Sequence, residues 1–86
     1  MAAQKDDRIA GIIEALRELT QDSTVPRNIK MKVESVIQSL AEDTDVSIRV
    51  NKALSELDEI SDDTNLQAYT RTQIWNITIM LEMIHV

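Results

Sequence analysis

The 86 residues contain no cysteine and no phenylalanine, and only one glycine (Gly11), one proline (Pro26) and one histidine (His85). Without cysteine there is no disulfide framework and no thiolate-held metal, which agrees with a reducing compartment. One glycine cannot build a Gly-rich phosphate loop, and together with one proline it leaves almost no vocabulary for hairpin turns. The chain is therefore expected to be helical throughout. Trp75 and Tyr69 are the only aromatics, so a core must come from Ile, Leu, Val, Met and Ala. No uncharged apolar run approaches the ~20 residues that a membrane span needs. The segment Met1 to Arg8 is too polar for a signal peptide. The expectation is a single cytoplasmic domain, residues 1–86, with no membrane partner.

Net positive charge is also missing: the formal charge is −6. A net acidic body repels phosphates at long range, which argues against nucleic acid. The charge is unevenly spread. Residues 23–41 carry Arg27, Lys30 and Lys32 against Glu34, whereas residues 42–63 carry eight acids against Arg49 and Lys52. Such asymmetry suggests a basic helix lying beside an acidic one.

What is present is a cadence. Asp22, Asp43 and Asp63 are each followed three positions on by an aliphatic residue, Val25, Val46 and Leu66, that opens an amphipathic stretch. A spacing of 21 and then 20 residues is one helix plus one tight connection. The periodicity predicts helices at about 5–21, 25–41, 46–61 and 66–84. Thr24, Asp45 and Asn65 stand as N-caps, and Pro26 sits in a first turn where its missing amide is harmless. The inward stripes read Ile9, Ile12, Ile13, Leu16, Leu19; Ile29, Val33, Val36, Ile37, Leu40; Val46, Val50, Ala53, Leu54, Leu57, Ile60; and Leu66, Thr70, Ile74, Ile77, Leu81, Ile84. Gly11 either weakens the first helix or lets a neighbouring helix approach closely. The fold expected is all-α, a four-helix antiparallel up-and-down bundle. The alternative is a HEAT-like right-handed helical array.

The last helix has more apolar surface than one stripe. Besides its inward stripe, Ala68, Trp75, Ile79, Met83 and Val86 gather on a second side. Either the helix is wedged centrally among the others, or Trp75, Ile79, Met83 and Val86 form a patch for a second copy or another protein. Trp and Met supply adaptable contact area at such surfaces.

A catalytic constellation is not legible. Glu82 and His85 have the Glu-x-x-His spacing of di-iron bundles, but those sites need the motif twice, and a second histidine does not exist. Asp62–Asp63 and Glu42–Asp43–Asp45 lack the glycine turn and distal glutamate of a calcium loop. No cofactor or metal is expected, and no enzyme. Arg27, Arg49 and Arg71 each follow a helix start, where the dipole disfavours a cation. Each either pairs with an acid of the preceding helix end (Asp22, Asp43 or Asp63), or else Arg27 and Arg71 mark one bundle end for a small anion.

Val25-Pro26-Arg27-Asn28, Asp45-Val46-Ser47-Ile48-Arg49-Val50, Leu57-Asp58-Glu59-Ile60-Ser61 and Arg71-Thr72-Gln73-Ile74-Trp75-Asn76-Ile77 resemble, in order, an archaeal family catalogued as uncharacterised protein family 0147. The likeness covers nearly the whole chain. It implies an archaeal cytosolic protein with a compact four-helix fold and brings no activity with it. The Asp-x-x-Val-x-x-x-Arg cadence is also similar, more loosely, to the helix starts of HEAT repeats. The function expected is a small interaction or structural module that binds a protein partner, or forms a homo-oligomer such as a dimer, through its last helix.

Overall fold

The computed structural model describes residues 7–84. Four helices occupy most of that span: α1 (Asp7–Gln21), α2 (Arg27–Ala41), α3 (Val46–Ser61) and α4 (Ala68–Glu82). Among the described residues α1 packs on α2 and α4, and α3 packs on α2 and α4. The diagonal pairs do not approach one another. Contact between α1 and α4 closes the ring, so the molecule is a four-helix bundle and not an open repeat array. The connectors are short, which makes successive helices antiparallel neighbours.

The core is aliphatic, as the composition requires. Ile12, Leu16, Ile29, Leu40, Leu57, Ile60, Ile74 and Leu81 are its largest fully enclosed side chains, while Ile13, Ile37, Val46 and Leu54 pack against it from the flanks. The charged helices lie side by side, but serines bridge them where ion pairs were the simpler expectation. Ser35 and Ser39 on α2 donate to the two carboxylate oxygens of Glu56 on α3, at 2.9 and 3.0 Å. Lys32 shares a small cleft of about 150 Å³ with Glu56 and Glu59.

Two helix starts differ from the sequence expectation, for one local reason. Asp22 accepts hydrogen bonds from the Thr24 amide and hydroxyl, and Asp63 accepts one from the Asn65 amide. These side-chain turns engage the acids two residues ahead of Thr24 and Asn65, before either helix begins. Val25 and Leu66 then bury as anchors, with their amides bonded to the Asp22 and Asp63 carbonyls. The N-caps are consequently Pro26 and Gln67, in extended conformation and without side-chain caps, not Thr24 and Asn65. Of the three helix starts whose caps are described, that of α3 alone carries a side-chain cap, Asp45 accepting from the Ser47 amide. The structural repeat is therefore Asp22 with Asp63, one helical hairpin apart, and the middle start is of another kind.

Candidate functional site: an interaction surface

Helix α4 turns Thr70, Ile74, Ile77 and Leu81 into the core. At 100° per residue Ile79 points directly away from that stripe, with Trp75 and Met83 about 40° to either side. Trp75 is 58% exposed, Ile79 54% and Met83 64%, and Met80, towards α1, is 42% exposed. The helix is thus not wedged among the others; its second apolar side faces outward. Val86 lies outside the described residues, as do Lys5, where the first helix was expected to begin, and His85. Residues 72–81 carry no charge at all.

Beside this ridge runs a groove of about 470 Å³ between α1 and α4, lined by Arg8, Gly11, Ile12, Met80 and Met83. Gly11 forms part of its wall. A Cβ added there would meet nothing within 4 Å, so Gly11 does not serve a close helix–helix approach inside the subunit. The sequence reading missed Met80 and the role of Gly11. Met80 sits about 100° from Ile79, outside the stripe that spacing singles out, and its exposure depends on how widely α1 and α4 are parted.

The arginines resolve differently from either sequence reading. Arg71 donates from Nη2 to the Asp63 carbonyl at 2.9 Å and from Nε to the Ser61 carbonyl at 3.4 Å. Arg49 donates from Nη1 to the Leu40 carbonyl at 3.0 Å. Their acceptors are main-chain carbonyls and not carboxylates: Leu40 and Ser61 in the last turn of the preceding helix, where carbonyls lack helical partners, and Asp63 just past it, whose carbonyl also accepts from the Leu66 amide. A cation poorly placed for its own helix dipole is thereby well placed for its neighbour's. Both arginines are fourth in their helices, and their amides close the first helical turn on Asp45 and Gln67. The fourth residue of α2 is Lys30, not Arg27. Lys30 acts on the Asp22 carboxyl, whose pKa is held below 3.8 first by the Thr24 hydroxyl and amide and then by this nearby positive charge. Arg27 is exposed and makes no hydrogen bond or ion pair among the described residues. None of the clefts described here has Arg27 or Arg71 in its wall. Among the described residues no cluster of His, Asp and Glu has the makings of a metal site, and no helix is long and apolar enough to cross a membrane.

Residues 1–84 match the sequence profile of the Uncharacterised protein family (UPF0147). The chain belongs to UPF0147. A UPF0147 protein of Pyrococcus horikoshii is 41% identical over 81 residues, 92% of this chain and 87% of that one. A UPF0147 protein of Archaeoglobus fulgidus is 39% identical over 75 residues, covering 87% of this chain and 86% of the relative. Among solved structures, the crystal structure of unknown function protein MMP1188 superposes with a TM-score of 0.88 at 38% identity, over 93% of this chain and 92% of that one. Both of these UPF0147 relatives are archaeal proteins.

Proposed function

We propose that this UPF0147 chain is a non-catalytic protein-interaction module of the archaeal cytoplasm, working through the outward face of α4. One observation carries the reading: Trp75, Ile79 and Met83 are more than half exposed on a helix whose other side already fills the core. Large apolar side chains left together in water are disfavoured unless a partner covers them. The absence of charge over residues 72–81 supports an apolar protein partner over nucleic acid. The arginine reading is weaker, because the Arg71 guanidinium is already committed to two carbonyls.

The test is to tag the chain in its native cells and compare the wild type with a Trp75→Ser, Ile79→Ser variant of verified thermal stability. The expected outcome is loss of the specifically associated protein, whether a second copy or another chain. Identical association by wild type and variant would contradict the proposal.

A further inference from the structure

Resting on that reading, the charges that border the α4 face narrow the class of partner. Arg71 fixes the register of α4 against α3, because its guanidinium spans the Ser61 and Asp63 carbonyls. The two helices run antiparallel, so Trp75, four residues along α4 from Arg71, stands level with Leu57, four residues back from Ser61. Trp75 lies 40° further out than Arg71 on the same edge of its helix. On α3, Leu57 points into the core and Glu56 reaches across to α2. Asp58, 100° beyond Leu57, is therefore on the opposite edge, beside α4, and Asp62 follows one turn later.

Acids border the ridge on both flanks. Glu82 shares the α3 edge of α4, and Glu18 lies two turns on from Gly11 along the α4 edge of α1. Asp58, Asp62, Glu82 and Glu18 are exposed, and none makes an ion pair or side-chain hydrogen bond among the described residues. The nearby bases do not offset them. Arg71 is committed to two carbonyls, and Arg8, in the groove wall, has an interaction of its own. The outer side of the α3–α4 seam thus carries two parallel rows, acidic at 58 and 62 and apolar at 75 and 79, each stepping by one helical turn.

An apolar row rimmed by free acids selects a cationic partner. Phosphates are repelled, and a second copy of this chain would bring its own acids to the contact, −6 against −6. An extended peptide finds no strand edge on this helical surface to pair its backbone. A helix laid along the seam presents both rows at the right pitch, apolar residues at i and i+4 and cations one turn apart beside them. An arginine placed there pairs with Asp58 and lies against the Trp75 indole.

We infer that the α3–α4 seam takes a basic amphipathic helix of another protein, its apolar row on Trp75 and Ile79 and its Lys or Arg row on Asp58 and Asp62.

The experiment titrates the full chain with two tryptophan-free peptides about 15 residues long, of one amphipathic Leu pattern, with Lys at every polar position in one and Glu in the other. Trp75 emission is the readout, in about 0.15 M salt, where the Debye length is about 8 Å. The Lys peptide is expected to move the emission to shorter wavelength and the Glu peptide to leave it unmoved. Asp58→Asn with Asp62→Asn should weaken the Lys peptide about three- to tenfold. Glu34→Gln with Asp43→Asn removes the same charge from α2 and the α2–α3 connector, and should change binding less than about twofold. Circular-dichroism melting checks that both variants fold. Equal weakening by the two variants would mean attraction by net charge alone and overturns the inference. Equal response to both peptides overturns the charge assignment and keeps α4 as an apolar contact. Response to neither overturns the inference, while association in native cells still judges the α4 face. A mass of twice 9.8 kDa with Trp75 covered before any peptide is added gives the face to a second copy and likewise overturns it.

Discussion

Thr70 is the sharpest internal test of the packing. Its side chain is 1% exposed, and its hydroxyl has no hydrogen-bond partner among the described residues. It lies on the buried stripe of α4, three residues past the N-cap, where Ile29 stands in α2. A buried polar group left unsatisfied costs about 1–3 kcal/mol. Thr70→Val keeps the shape, removes that penalty and leaves helix propensity almost unchanged. The expected gain is about 1–2 kcal/mol at the low end of that range, or about 4–16 °C in melting temperature for a domain of this size. Thr78 has the same chemistry with its hydroxyl bonded to the Ile74 carbonyl at 2.9 Å, so Thr78→Val should not stabilise. Paired urea and thermal melts of the two variants decide the matter. A Thr70→Val protein no more stable than Thr78→Val would show that the hydroxyl is satisfied, and the account of this stripe would fail.

Three further outcomes follow from the connectors and the α2–α3 seam. Arg71→Met should cost about 1.5–3 kcal/mol, since it removes charge-assisted bonds to two carbonyls, and added salt should not erase the difference as it would for a surface ion pair. Glu56→Ala should cost about 1–3 kcal/mol in urea melts by stranding the buried Ser39 hydroxyl, and Glu56→Ala combined with Ser39→Ala should recover part of it. Asp22 has a lowered folded pKa, so its contribution is complete above 3.8 and is lost as pH falls through the depressed folded value. A carboxyl NMR titration should place it below 3.8, and Asp22→Ala should flatten the acid limb of the melting-temperature profile.

How far the sequence reaches can be read from particular residues. The stripes from Ile9 to Ile84 were legible because burial in a thin bundle follows the 3.6-residue period directly. The exposed Trp75, Ile79 and Met83 were legible for the complementary reason, a helix with more apolar residues than one core-facing stripe holds. The starts of α2 and α4 were not, because Thr24 and Asn65 look like caps until the Asp22 and Asp63 carboxylates take their amides. The basic residue at the fourth helical position was misplaced in α2 for the same reason. Counting arginines selects Arg27, whereas counting from the true helix start selects Lys30. The groove beside Gly11 was invisible, since it depends on how α1 and α4 part and not on either helix alone.

Trp75 is the only tryptophan, so its fluorescence reports directly on the surface at issue. The measurement is its emission maximum and acrylamide quenching in full-length protein, followed from dilute to concentrated solution. Covering of the α4 face predicts emission moving to shorter wavelength, and quenching falling, as chains associate. An indole that stays water-exposed and fully quenchable at every concentration, and is unmoved by extract from the native cells, would contradict the claim.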